Sequence, residues 1–275
     1  MGLMMKDLSM SGILLVSDMD GTLVTDKGVI PERNITAIER FVKKGGLFTF
    51  ATGRSVVGTL KYAAQVPFNA PYIVYNGGGI YDHQSKTMRW NKFLAPSSVD
   101  IIKEVKSFFP DVGIEVYSEG YVYSVNKNKH TKAHVAFGGL QDYERTVEDI
   151  PENLNKILLC CDNDRLAEVS GHLEKLDHTG CTYVFSGPIY FEVLPEGATK
   201  GTTVKILAEM IGIGHDKIMA IGDYYNDLEL IETATIGAVP EGAPDDLKRI
   251  ADVVVCKCED GAVADFIEYI EAKFE

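Results

Sequence analysis

The 275-residue sequence has no apolar run approaching the ~18 residues that a membrane-spanning helix requires. Its opening stretch, MGLMMKDLSMSGILLVSDMD, holds only a short apolar core and no small-residue cleavage site, so the pattern of a secretory leader is missing as well. Cationic side chains are scarce beside anionic ones: 27 Lys and Arg stand against 40 Asp and Glu, a net charge of −13. That deficit argues against a general nucleic-acid or anionic-membrane surface. It leaves room for an anionic small molecule, because a metal and a few local cations can override the global field. The five cysteines, Cys160, Cys161, Cys181, Cys256 and Cys258, are odd in number and irregularly spaced, which does not suggest a disulfide framework. Cys256-Lys257-Cys258 lacks the second Cys or His pair of a metal site, so the thiols read as structural ones in a cytoplasmic protein.

Several short apolar runs end in Gly, Asp, Asn or Thr: GILLVSD (12–18), GLFTFATG (46–53), PYIVYNGG (71–78), DKIMAIGD (216–223) and ATIGAVP (234–240). They do not alternate cleanly, and this predicts strands buried on both faces of a parallel sheet. PERNITAIERFVKKG (31–45) and GTTVKILAEMIG (201–212) read as intervening helices, the first opened by Pro31 and closed by Gly45. Strand and helix in alternation predict an α/β fold, a Rossmann-like doubly wound parallel sheet with its functional groups at the carboxyl ends of the strands. Residues 84–190 have another texture, with hairpin-like pairs such as GIEVYSEGYVYSVN and helical segments near 97–109 and 164–176. The expected plan is a core of 1–83 and 191–275 with an inserted α+β domain at 84–190.

The chemistry-bearing residues sit at the ends of those runs. VSDMDGTL (16–23) sets Asp18 and Asp20 two apart in a turn leaving a strand. Two carboxylates there repel each other and resist burial, a cost that a bound Mg²⁺ and a division of labour between nucleophile and acid/base would repay. ATGRS (51–55) offers Thr52 and Gly53 to an anionic oxygen; GATKGTTV (197–204) places Lys200 just before a helix; IGDYYND (221–227) gives Asp223, Asn226 and Asp227. Arg54 and Asn76 lie where substrate could reach them, although a structural salt bridge is an equal reading for Arg54. KNKHTKAH (127–134) reads as a solvated basic loop, with a grip on an anionic leaving group as the sharper reading.

Together these strings resemble the haloacid dehalogenase superfamily, and most closely its Cof-type phosphatases, over essentially the whole chain. DMDGTL resembles the first motif, ATGR the second, the lysine of ATKG the third and GDYYND the fourth, while YNGGGIYD resembles the entrance to the cap. Val239-Pro240-Glu241-Gly242 departs from the family's usual tail in a loop near the site, at no catalytic position. The resemblance implies that Asp18 attacks phosphorus, that Asp20 is acid and base, and that Thr52 and Lys200 bind the phosphoryl oxygens. It also implies Mg²⁺ held by Asp18, Asp223 and the backbone carbonyl of Asp20, with Asp227 in support and Asn226 orienting the phosphate. Gly53, Arg54 and Asn76 would join Asn226 in touching substrate. The implied function is a Mg²⁺-dependent phosphatase of small phosphorylated metabolites, sugar phosphates above all, with neither nucleic acid nor membrane as partner, as a monomer or dimer. Two other readings stand beside it: a phosphomutase of the phosphomannomutase type, and a phospho-accepting signalling module.

Overall fold

The structure is a computed structural model that describes residues 9–176 and 180–274. Residues 1–8 of the opening stretch lie outside the described part. The chain begins with β1 (Leu14–Ser17), α1 (Glu32–Lys43), β2 (Leu47–Phe50) and α2 (Val56–Ala63), then β3 (Tyr72–Val74), β4 (Gly79–Asp82) and β5 (Thr87–Asn91). Next come α3 (Ser98–Phe108), β6 (Gly113–Ser118), β7 (Tyr121–Asn126), α4 (Lys129–Gly138) and β8 (Asp142–Glu144). β9 (Lys156–Cys160), α5 (Asn163–Leu173), β10 (Cys181–Gly187) and β11 (Tyr190–Pro195) follow. The chain closes with α6 (Lys200–Ile211), β12 (Ile218–Ile221), α7 (Leu228–Thr233), β13 (Ile236–Pro240), α8 (Asp245–Ile250), β14 (Val253–Val255) and α9 (Ala262–Phe274).

A five-stranded sheet in the order β14-β13-β12-β1-β2 forms the core, and every pairing in it is parallel. Alternate residues of β1 explain why its run is apolar throughout. Leu15 packs with Ile38 and Phe41 of α1 and with Phe266 and Ile267 of α9. Leu14 and Val16 point the other way, into Val204, Leu207 and Ala208 of α6. Covering both faces removes any need for polar alternation, and each large apolar side chain so buried contributes about 1.5–3 kcal/mol. The expected helix at 31–45 is α1 preceded by Pro31, and the one at 201–212 is α6 stopped by Gly212.

A six-stranded sheet, β10-β11-β9-β6-β7-β8, makes up the second layer. It is antiparallel except between β7 and β8. One face packs on α3 and α5, with Ile101, Val105, Leu166 and Val169 against Ile114, Val116, Ile157 and Leu159. The other face, carrying Tyr117, Lys156, Leu158 and Glu192, turns toward the carboxyl ends of the core strands, where these residues line a common cavity with Asp18.

The expected break points at 83/84 and 190/191 need correction. Residue 84 lies in the turn of the β4–β5 hairpin, which pairs with β3 and touches the core sheet through the Ala51–Ile73 bridge. Trp90 of β5 packs against the apolar cluster beneath α6. β11, by contrast, pairs on both sides with strands of the second sheet. Hairpin patterns are visible in sequence, but which sheet a hairpin extends is decided by packing.

The stretch 127–134 is also corrected. It is not a solvated basic loop: Asn128 caps α4, its Oδ1 accepting from His130 N and Thr131 N at 2.9 and 3.0 Å. Lys127 pairs with Asp142 at 2.8 Å and Lys129 with Asp162 at 3.0 Å, while the His130 and His134 rings face Asp162 and Glu115 at 3.0 and 2.9 Å. The departure at 239–242 lies at the end of β13, where Glu241 N still donates to Val255 O at 2.9 Å. None of those four residues is among the described residues that line the cavity.

Candidate active site

The turn after β1 carries Asp18 to the edge of the sheet, where its backbone N–H donates to Ile221 O at the end of β12, 2.8 Å away. Asp18 is 5% exposed. Lys200, fully buried at the first position of α6, donates from Nζ to Asp18 Oδ1 at 2.5 Å and to Asp227 Oδ1 at 2.6 Å. Asp227 in turn accepts the backbone N–H groups of Asp223 and Tyr224 on Oδ2, at 3.0 and 3.2 Å. Asp223 accepts from the Thr22 hydroxyl at 2.8 Å. These contacts join residues 201 positions apart and bring three of the four sequence strings to one place, and ATGRS joins them through Arg54 and Asp20.

The electrostatics follow from this crowding. Burial raises the Asp18 carboxyl well above its ordinary range; Lys200 opposes that shift, while Asp227, Asp223 and Asp20 add to it. Asp223 is pushed up to about 7, by burial first and the Asp227 charge next. Burial alone would lower the Lys200 pKa, yet Asp18 and Asp227 outweigh it and raise it. Without a further cation, the cluster is short of positive charge.

Asp18, Asp223 and Asp227 each present a carboxylate oxygen, all within 4.8 Å of one another. A set made only of hard oxygen donors suits Mg²⁺ rather than a soft metal. Gly21 preserves the space: a Cβ there would stand 2.4 Å from Asp223 Oδ2, and its φ of +83° also favours glycine. The residues therefore fit the ion.

Asp20 points elsewhere. Its side chain, 49% exposed, is gripped by Arg54 through Nε to Oδ2 at 2.8 Å and Nη2 to Oδ1 at 2.7 Å. Arg54 is thus engaged with an acid rather than free for substrate, and the salt-bridge reading of it describes the geometry. Its guanidinium also faces the rings of Tyr62 and Phe137 at 4.9 and 5.5 Å, so α4 touches the core loop here. Thr52 is buried, its Oγ1 accepting from Arg54 N at 3.1 Å. Asn226 Nδ2 donates to Asn76 Oδ1 at 3.0 Å, leaving Asn76 Nδ2 and Asn226 Oδ1 buried without partners. Gly53 permits this approach, because a Cβ would fall 2.9 Å from Asn76 Nδ2.

Above these groups lies a cavity of about 360 Å³. Asp18, Asp20, Gly53, Arg54, Asp223 and Asn226 form its floor; Tyr117, His134, Lys156, Tyr190 and Glu192 stand on the opposite wall. Thr52, Asn76 and Lys200 are buried behind the floor residues. Of these wall residues only His134, within 127–134, was singled out in sequence; Tyr117, Lys156, Tyr190 and Glu192 carry no motif. A signal was present: Glu115, Lys156 and Glu192 are single charges in otherwise apolar or aromatic strands, GIEVYS, KILLC and YFEVLP.

Comparison with known proteins gives a consistent picture. The family model described as haloacid dehalogenase-like hydrolase matches residues 15–267. An HMP-PP phosphatase of Klebsiella pneumoniae (strain 342) is 27% identical over 93% of this chain and 94% of its own. A 5-amino-6-(5-phospho-D-ribitylamino)uracil phosphatase of Bacillus subtilis (strain 168) is 28% identical over 92% and 96%. The solved structure of a haloacid dehalogenase-like hydrolase from Bacteroides thetaiotaomicron superposes with a TM-score of 0.82 at 27% identity, covering 94% of this chain and 99% of that one. With nearly its whole length matched by the family model, this chain belongs to the haloacid dehalogenase-like hydrolases.

Proposed function

We propose that the chain is a Mg²⁺-dependent phosphatase that hydrolyses small phosphorylated metabolites, with sugar phosphates the favoured class, through a phospho-aspartate on Asp18. The contact of Lys200 Nζ with Asp18 Oδ1 and Asp227 Oδ1 carries this reading. A buried lysine between two carboxylates at the bottom of a cavity opposes the protonation of the nucleophile that burial and the neighbouring acids favour, and a bound cation would add to that effect. The relatives named as phosphatases of small phosphorylated molecules support the same substrate class.

Asp18, Asp223 and Asp227 would hold Mg²⁺, which when bound neutralises the phosphoryl oxygens and the carboxylates around them. Lys200 holds Oδ1 of Asp18, so the other oxygen is the one that attacks. As the Asp18–phosphorus bond forms, the ester P–O bond breaks and the departing oxygen takes a proton from Asp20. Water then attacks phosphorus, gives its proton to Asp20, and releases phosphate and free Asp18. Arg54 must let Asp20 go for both transfers. Thr52 and Lys200 bind the transferring oxygens, and positioning with charge neutralisation supplies most of the catalysis. The second sheet acts as a cap that covers the leaving group.

Phosphate release measured over a panel of phosphorylated metabolites, with Mg²⁺ and with EDTA, tests the reading. Mg²⁺-dependent release is expected. Retention of the phosphoryl group with turnover of a bisphosphate would make the chain a mutase, and a long-lived phospho-aspartate without turnover would make it a signalling module.

A further inference from the structure

The wall opposite Asp18 is built from ionisable groups that are already matched with one another. Lys156 Nζ donates to Glu192 Oε2 at 2.9 Å and to the Gly53 carbonyl at 2.8 Å, and it faces the Tyr117 ring at 4.6 Å. The Ser186 hydroxyl donates to Glu192 Oε1 at 2.6 Å. Behind them, Tyr117 OH donates to Glu115 Oε2, with His134 Nδ1 on the same oxygen, each at 2.9 Å. Glu115 Oε1 is left buried with no hydrogen-bond partner. On the floor, Arg54 is spent on Asp20. Among the described residues lining the cavity, the basic side chains are Arg54, His134 and Lys156, and each faces a carboxylate of its own.

From this arrangement we infer that the wall excludes anions. It selects phosphate esters whose leaving group is uncharged or cationic and rich in O–H or N–H donors, and rejects those bearing a second phosphate or a carboxylate. Glu192 and Lys156 are the specificity-determining pair, and the inference rests on the phosphatase reading of the floor. The physical reason is desolvation. Lys156 and Glu192 are 2% and 3% exposed, so water screens their charges little, and a second anion arriving beside Glu192 finds Lys156 already held by that carboxylate. No other lysine or arginine stands among the described residues of the wall to offset the repulsion, Arg54 standing on the floor across the cavity. Hydroxyl or amino groups instead find carboxylate acceptors, where charge-assisted hydrogen bonds form. The cavity's size falls within the ~300–1,000 Å³ of small-molecule sites. A mutase must seat a second phosphate against this wall in its bisphosphate intermediate, so the same charges disfavour that chemistry.

The test is competition against hydrolysis of p-nitrophenyl phosphate by the full-length protein with Mg²⁺, using pairs matched in shape. Sorbitol phosphate is set against phosphogluconate, both open chains, and a fructose monophosphate against the bisphosphate, with glucosamine phosphate as the cationic member beside glucose phosphate. The anion-bearing member of each pair is expected to bind about tenfold or more weakly, the equivalent of about 1.4 kcal/mol. Glu192→Gln should narrow that gap by tightening phosphogluconate. Should Glu192→Gln fail to accumulate folded, Lys156→Met combined with Glu192→Met removes both charges together and should narrow it likewise. Equal or tighter binding of the anionic members overturns the inference, as does failure of every pair to compete or a gap unchanged in the folded variant. Absence of any p-nitrophenyl phosphate hydrolysis by the wild type strikes the phosphatase reading instead.

Discussion

The ammonium of Lys156 lies 2.8 Å from the backbone carbonyl of Gly53, so a side chain of the second sheet is hydrogen-bonded directly to the loop that follows β2 in the core. Its other partner, Glu192, is equally buried. Removing one member of a buried ion pair leaves the other uncompensated, at a cost of about 3–5 kcal/mol, whereas removing both charges costs far less. Lys156→Met is therefore expected to destabilise strongly in urea titrations, and Lys156→Met with Glu192→Met to recover most of the loss. A double variant as unstable as the single one contradicts this.

The two aspartates of DMD should separate by leaving group. Asp18→Asn removes the nucleophile, so no phospho-enzyme should form with any substrate. Asp20→Asn removes only the proton donor and acceptor, which is worth ~10²–10⁴-fold and matters most for poor leaving groups. An alkyl phosphate should lose nearly all turnover in that variant, while an aryl phosphate should give a burst and then stall. Borohydride trapping during the stall, read by peptide mass, should place the modification on residue 18. Identical behaviour of the two variants on both substrates refutes this division.

Metal dependence should appear in stability as well as rate. Asp18, Asp223 and Asp227 repel one another in the bare protein, and an ion bound only to the folded state stabilises it by mass action. Mg²⁺ should raise the thermal midpoint of the wild type and activate hydrolysis, while Ca²⁺, with its looser coordination, should inhibit. Asp223→Asn should abolish the Mg²⁺-induced shift without lowering the midpoint measured in EDTA. Full activity after exhaustive chelation is the result that rules out the metal.

Far from the cavity, Glu271 of α9 binds Arg40 at 2.8 Å and Lys44 at 3.3 Å at the end of α1. Burial works to raise its pKa, but the two cations prevail and hold it below the usual carboxylate value. A depressed folded pKa adds stability that is complete above the unfolded value of about 4.3 and is lost as pH falls through the folded one. Because Arg40 is 39% exposed, the contribution is small, about 0.5–1 kcal/mol. Glu271→Gln should cost that much near neutral pH, and denaturation curves of variant and wild type should converge at acid pH.

The sequence by itself determined the core. Runs apolar on both faces mark a covered parallel sheet, as β1, β2, β12 and β13 are, whereas the similar run 71–78 forms β3, which pairs antiparallel with β4. Carboxylates placed directly after β1 and β12 gather at the carboxyl edge of that sheet, where Asp18, Asp223 and Asp227 meet Lys200. Tertiary structure alone decided the rest. Whether Arg54 serves substrate or holds Asp20 depends on a separation that no spacing encodes. Whether β11 belongs with β9 or with the core depends on hydrogen bonds between segments distant in sequence. Glu115, Lys156 and Glu192 stand in three different strands, and only the folding of the second sheet brings their charges into one desolvated wall, where pairing rather than residue type sets what they can bind.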